Sequence, residues 1–467
     1  MLTEVSVPGV LLLAVTALAA AQAQEPFRLS AGPHLFLDDQ LIASQQNLTR
    51  TINQPERLPE PVVTGPEDKC FQPYMTVRRD PVTGRFRIWY GVPENASRSH
   101  LATMESEDGI HWVRPHRVLD DPGPIQFGVS ILDEGLDFPD PSQRFKYGYW
   151  WGGGLNLAVS PDGLVWRPLV PGVVLKHNHD INGIFRDPIR RRYCAFVSSY
   201  TTGDKWQGNR RVSMMSVSDD LIHWREPWFI FTPDERDEGE TQFYCMDGVI
   251  ARGGPRRRGG PRRRGDLLIG LLKVLRDDLP ADPGGPVGGI GYTVLAWSHD
   301  GERWTRDREP FLPRNPRPGS WDHAMTWGDD QLVIGDETFI YYGGYARGHK
   351  IERFTERQIG LARMPRDRYV AREAGPTEGQ LQTRLVTLPA APMTVNARVP
   401  GELRVRVVRP TGEPVRGFDW NDCAPVRGDG VALPVRWTGD VQGVAGKPVR
   451  LEFRLREGRL FGFESGG

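Results

Sequence analysis

Four short segments of this chain are nearly the same. "SEDGIHW" begins at Ser106, "SPDGLVW" at Ser160, "SDDLIHW" at Ser218 and "SHDGERW" at Ser298. A unit that recurs at intervals of this size marks a fold built from repeats, which fixes the architecture before any single residue is considered. Each copy follows a short run with alternating apolar positions: "LATME" at Leu101, "LNLAV" at Leu155, "VSMMSV" at Val212 and "YTVLAW" at Tyr292. Such alternation predicts strands. Asp-Gly between a strand and a Trp predicts a tight turn, with Ser and Asp side chains bonding turn amides and Trp plugging the layer between sheets. The third copy carries Leu221 in place of glycine, so its turn is expected to differ in detail.

A second turn recurs upstream of these. Asp80-Pro81, Asp140-Pro141 and Asp187-Pro188 each precede an arginine and an aromatic strand. The predicted unit is therefore strand, Asp-Pro turn, strand, loop, strand, Asp-Gly turn, Trp strand. That is a four-stranded blade. A degenerate fifth copy reads "FIYYGGY" at Phe339 and "IGLARMPRDRYV" at Ile359, and "HLFLDDQLI" at His34 is expected to supply the strand that closes the ring. The interval between the last two explicit copies is stretched by "RGGPRRRGGPRRRGD", Arg252 to Asp266, read as a solvated loop. After Gly375 the pattern changes to short alternating strands with Gly turns, as in a β-sandwich. The fold class predicted is all-β: a five-bladed β-propeller over residues 34–374 and a small β-sandwich over 375–467.

The N-terminus has an apolar run from Val10 to Ala21 ending in Ala21-Gln22-Ala23. The run is too short to span a bilayer comfortably, and the A-x-A ending predicts a signal peptide over residues 1–23. The basic residues usual before such a run are missing. The expectation is a secreted or periplasmic protein with no membrane span after cleavage. Lys plus Arg equals Asp plus Glu, 59 each, which argues against nucleic acid as a partner. Cys70, Cys194, Cys245 and Cys423 lack metal-type spacing and read as four small core side chains. No metal or other cofactor is called for. Asn47 and Asn95 fit the N-glycosylation pattern, which arises easily by chance.

Repeated blades, S-x-D-G-x-x-W turns and a C-terminal sandwich resemble the five-bladed propeller glycoside hydrolases, the arabinanase and xylosidase families and the invertase and levanase families. "IGLARMPRDRYVAREAG" at Ile359 resembles the last-blade segment of invertase-like proteins. The resemblance implies carbohydrate as substrate or ligand. It has gaps: the W-M-N-D-P-N motif of the first blade is missing, and "YCMDG" at Tyr244 lacks the Glu of the acid motif. "FRDP" at Phe185 matches an R-D-P motif superficially, but Asp187 aligns internally with Asp80 and Asp140 and reads as a turn residue. Sialidases are a more distant comparison, since their Asp-box is one residue longer.

In a propeller the starts of the innermost strands line a funnel. Glycoside hydrolysis needs two carboxyl groups across the sugar bond. The acids at blade entries give Asp68, Asp180 and Glu240 as catalytic candidates. His179, Tyr244, Trp321, Asp322 and His323 are the candidate substrate-binding residues. Either a glycosidase-like enzyme or a non-catalytic propeller that binds carbohydrate or a partner protein fits these residues.

Overall fold

The computed structural model describes residues 25–29, 31–95, 97–252, 266–351 and 356–466. The predicted signal peptide and most of the arginine-rich insertion lie outside these residues. The regular structure of the described chain is nearly all strand; its one α-helix is the single turn Gly65–Asp68.

Five antiparallel four-stranded units follow one another. The first is Gln72–Arg79, Phe86–Asn95, Arg98–Ser106 and Arg117–Val118; the second is Phe127–Asp133, Phe145–Trp150, Gly154–Ser160 and Arg167–Pro168. The third runs Asn182–Asp187, Arg192–Gly203, Trp206–Ser218 and Trp228–Phe231; the fourth runs Thr241–Arg252, Leu267–Arg276, Ile290–Ser298 and Thr305–Arg306. The fifth has Met325–Ile334, Glu337–Tyr345 and Gln358–Pro365, and its outer strand is Glu56–Arg57. Each first strand packs beside the next, and the fifth packs beside the first, so the units close into a propeller-like ring.

Polar side chains fasten the inner strands where those strands meet. Thr76 Oγ1 donates to Val129 O and accepts from Ile131 N. Ser130 Oγ accepts from Ile184 N at 2.8 Å. Asp329 and Asp330 accept from Met75 N and Val77 N. Two inner strands that share no ladder thus satisfy each other's backbone groups, which a buried edge requires.

The Ser-Asp turns have one geometry in all four copies. Ser106 Oγ accepts from Gly109 N at 2.9 Å, and Asp108 Oδ1 accepts from Ile110 N and His111 N, both at 2.8 Å. Ser160, Ser218 and Ser298, with Asp162, Asp220 and Asp300, repeat these bonds. Gly109, Gly163 and Gly301 sit at φ of 75°, 75° and 71°. Leu221 sits at 70°, so its turn does not differ as the sequence predicts. The compensation is burial. Leu221 shares a buried cluster with Leu155 and Leu157 of the second blade and Ile184 of its own, and burying a leucine contributes about 2 kcal/mol. That offsets the roughly 1–2 kcal/mol cost of left-handed backbone. At the glycines the preceding blade fills the space instead: Trp89 Nε1 donates to Gly163 O, and Tyr341 Oη to Gly109 O, each at 2.8 Å.

The Asp-Pro turns behave as predicted from their alignment. Asp80 and Asp187 each accept the backbone N–H groups two and three residues on, and Asp140 accepts that of Ser142, two residues on. Asp187 is fully buried and also holds Arg190 at 2.8 Å.

The His34 run does not close the ring. Gly32–Leu35 pairs with Gly458–Ser465 in the C-terminal sheet, while Phe36 packs on Phe453 and Phe463. The run "HLFL" is apolar at three of its four positions and is buried between both parts of the fold, which an outer blade strand would not allow. The C-terminal sheet orders Phe27–Arg28, Val386–Thr387, Pro448–Arg456, Met393–Val408, Gly458–Ser465, Val370–Ala374 and Thr49–Ile52. Ile42–Gln46 joins it through Gly379–Thr383. Strand pairing thus puts residues 27–52 with the sandwich and 56–57 with the ring. The four cysteines are unpaired buried thiols.

Candidate functional site

The segment His177 to Asn182 enters the third inner strand, and its side chains are tied to the backbone of the next strand. Asn178 Oδ1 accepts from Tyr200 N at 2.8 Å, its Nδ2 donates to Tyr200 O, and His177 Nδ1 lies 3.2 Å from Ser198 O. This fastening presents His179 and Asp180 to the mouth of the ring. His179 Nδ1 lies 3.2 Å from Asp180 Oδ1. Arg211 Nε donates to His179 Nε2 at 3.0 Å. A guanidinium only donates, so Nε2 is the acceptor and the imidazole proton is on Nδ1, the nitrogen nearer Asp180. Burial, with Arg211 adding to it, holds His179 down at about 3. Burial likewise holds His177 at about 4.

Arg211 links this pair to a further acid. Its Nη1 donates to Gln242 Oε1 at 2.8 Å and lies 3.6 Å from Asp277 Oδ2; Lys350 Nζ lies 3.1 Å from the same oxygen. The order Asp180, His179, Arg211, Asp277 joins two carboxylates across one histidine and one arginine.

The floor beneath is aromatic. Tyr244 meets His179 edge-on with centroids 5.1 Å apart, Trp327 at 4.5 Å and His349 at 5.3 Å. Trp327 continues to Tyr345 at 6.0 Å. Arg357 lies over the Tyr345 ring at 4.7 Å. Burial raises the phenols of Tyr74 and Tyr244 far above their ordinary range, with the Asp180 charge acting in the same direction. Several buried polar atoms here have no hydrogen-bond partner: Tyr345 Oη, both side-chain polar atoms of Asn182, Arg357 Nε and Asp277 Oδ1. A native interior leaves few such atoms, and each calls for an explanation.

Below this throat, Lys273 is fully buried between Asp247, at 2.6 Å, and Asp329. Burial raises the Asp329 carboxyl above its ordinary range even with the Lys273 ammonium against it. A cavity of about 50 Å³ lies here, lined in part by Thr76, Ser130, Asp247 and Asp329.

The candidates named from sequence fall in different places. Asp180, His179 and Tyr244 come together at the mouth. Asp68 is 1% exposed, and both its oxygens are occupied: Arg114 grips it at 2.9 and 2.8 Å, and Thr64 N donates at 2.9 Å. Glu240 is on the rim, its side chain 51% exposed and 4.0 Å from Arg210. Trp321 lies flat on Tyr342 over the glycines of the fifth blade and donates to Pro59 O. Asp322 accepts from Tyr342 Oη and Asn315 Nδ2, and His323 is clamped between Asn315 O and Asp282. These three fasten the fifth blade. The residues that sequence reasoning passed over are Arg211, Asp277, Tyr345, Arg357 and Lys273. Arg211 and Lys273 lie inside strands, Tyr345 and Asp277 at strand ends and Arg357 just before a strand, and no local motif flags them.

No family model matches the chain, and no curated protein does either. Among solved structures it is similar to a glycoside hydrolase: 13% identity over 67% of this chain and 92% of that one, TM-score 0.44. An N-acetylgalactosamine deacetylase from F. plautii, solved with blood group B trisaccharide, shares 17% identity over 69% and 97% of the two chains, TM-score 0.42. The β-1,2-mannobiose phosphorylase of Listeria innocua, solved with β-1,2-mannobiose, shares 13% over 66% and 96%, TM-score 0.42. At that level of similarity, the architecture stands on the strand pairings and contacts described above.

Proposed function

We propose that this chain is a carbohydrate-active protein of the glycosidase type, working on an oligo- or polysaccharide at the mouth of the ring. The observation that carries the reading is the line Asp180, His179, Arg211 and Asp277 above an aromatic floor. Glycosidic cleavage uses one carboxyl that donates a proton and one that activates water or attacks carbon. Asp180, next to the His179 imidazole, is assigned to the reacting bond. Asp277 takes the place of Asp68 and Glu240 as the second acid. Tyr244 and neighbouring rings offer apolar faces for sugar carbons. Export, with cleavage after Ala23, belongs to the same proposal and is tested by N-terminal sequencing of the secreted protein.

A second reading, a propeller that binds carbohydrate without cleaving it, has one observation in its favour. Asp277 Oδ2 lies between two cations, Arg211 at 3.6 Å and Lys350 at 3.1 Å, a structural ion-pair arrangement. Hydrolysis of aryl glycosides and oligosaccharides, compared between the native protein and Asp180→Asn, separates the two. Turnover abolished by Asp180→Asn supports the enzyme. Saturable binding of a glycan with no turnover supports the binding propeller.

A further inference from the structure

Arg357 is 1% exposed. A buried guanidinium is normally matched by a carboxylate, because the cost of taking the charge out of water is otherwise uncompensated. None lies within ion-pair distance of Arg357 among the described residues. Its Nη1 donates to Gln72 Oε1 and its Nη2 to His349 O at 3.0 Å, both neutral acceptors. The Tyr345 face beneath it recovers part of the desolvation and leaves the charge unneutralised. That charge bears on the phenols of Tyr74, Tyr244 and Tyr345, the rings of the throat. Two donors there remain unused, Arg357 Nε and Tyr345 Oη, and bulk solvent reaches neither.

We propose that the throat binds a small oxyanion, the carboxylate of a hexuronic acid unit, with Arg357 and Tyr345 as its donors. A charged, delocalised donor stacked on a tyrosine whose hydroxyl is also unused is the chemistry that recognises a carboxylate and is unused by a neutral hydroxyl. The inference rests on the reading of this mouth as a carbohydrate site and narrows it to acidic glycans. A free inorganic oxyanion has the same chemistry, so phosphate is a separate arm of the test.

The test is the thermal shift and titration calorimetry of the mature full-length protein with glucuronate, galacturonate and their short oligomers. Glucose, galactose and inorganic phosphate serve as the comparison ligands. The uronates are expected to bind saturably and raise the melting temperature, with the neutral sugars at least about tenfold weaker. Tyr345→Phe removes only an unpartnered hydroxyl, so it folds as the native protein does, and it is expected to weaken uronate binding about tenfold. Arg357→Lys keeps the charge and loses the planar donor, and is expected to weaken binding similarly. Phosphate binding without uronate binding keeps the oxyanion site and replaces the sugar carboxylate by a free ion. Equal binding of neutral and acidic sugars, no binding of any oxyanion, or a Tyr345→Phe variant that binds unchanged overturns the inference. Turnover of neutral glycosides that Asp180→Asn abolishes, with indifference to oxyanions, would refute this inference alone. Uronate binding without turnover would refute the enzyme reading alone.

Discussion

Arg211 donates to His179 Nε2 at 3.0 Å, and this bond decides which nitrogen of the ring carries the proton. With Nε2 accepting, the proton is on Nδ1, which lies 3.2 Å from Asp180 Oδ1. Arg211→Met removes both the donor and the positive charge that helps hold His179 neutral. The expected result, read by ¹⁵N NMR of the imidazole, is a single Nδ1–H tautomer in the native protein and a mixture in the variant, with easier protonation. A native ring protonated at Nε2 would overturn this arrangement.

Stability should fall on the acid side for a related reason. His177 and His179 are held at about 4 and about 3 by burial, below the roughly 6.5 of an unfolded chain. Below pH 6.5 the unfolded state therefore binds more protons than the folded state. The stability these neutral rings confer is complete above about pH 6.5 and is lost as pH falls toward 4 and 3. Each group steepens the curve by at most about 1.4 kcal/mol per pH unit. Urea denaturation at half-unit steps from pH 7.5 to 4.5 should show a flatter profile for His177→Asn, whose amide can still donate to Ser198 O.

Asp180 and Asp187 stand at opposite ends of one inner strand, and their substitutions should separate cleanly. Asp187→Asn leaves Arg190 without its buried partner and weakens two turn bonds. A loss of about 1–3 kcal/mol is expected, with glycan binding retained in the folded fraction. Asp180→Asn should abolish turnover or ligand binding and leave the denaturation midpoint nearly unchanged. The reverse pattern would place the site at the other end of the strand.

The blades were legible because their defining bonds are local. A Ser and an Asp at fixed offsets bond the amides next to them, so the four turns can be read letter by letter. The closing strand was not: Glu56–Arg57 has two residues and pairs with Ala362 and Arg363, some 300 positions away. Asp180 and Tyr244 were legible as residues at strand entries. Asp68 misled for the same reason, since the partner that occupies it, Arg114, is 46 residues downstream. Arg211, Asp277 and Arg357 matter through contacts between strands, some within a blade and some between blades, which no local spacing encodes.

Lys273 sits between Asp247 and Asp329 with no exposure to speak of. Lys273→Met leaves the buried Asp329 and the partly buried Asp247 without their shared cation. The expected cost is about 3–5 kcal/mol, read from urea midpoints near pH 7. Adding Asp329→Asn removes one of the stranded charges and should recover part of that loss. A double variant no more stable than Lys273→Met would mean that the two carboxyls do not act through the lysine.

The left-handed position of the Ser-Asp turn offers the strictest comparison, because one backbone geometry is solved in two ways. At Gly163 an added Cβ would lie 2.7 Å from the Trp89 ring, and at Gly109 it would lie 2.6 Å from Tyr341 Oη. The preceding blade occupies the space, so Gly163→Ala adds both a clash and an unfavourable φ. A loss of about 2–4 kcal/mol is expected. At position 221 the side chain itself is the filler. Leu221→Gly relieves the backbone by about 1 kcal/mol but opens a hole among Leu155, Leu157 and Ile184. Leu221→Ala keeps the strained backbone and opens nearly the same hole, at about 2–5 kcal/mol. The expected order of stability is therefore native, then Leu221→Gly, then Leu221→Ala, the opposite of the usual ranking of Gly and Ala. Urea midpoints of the three proteins decide it, and an alanine variant more stable than the glycine variant would mean that the turn relaxes out of the left-handed region.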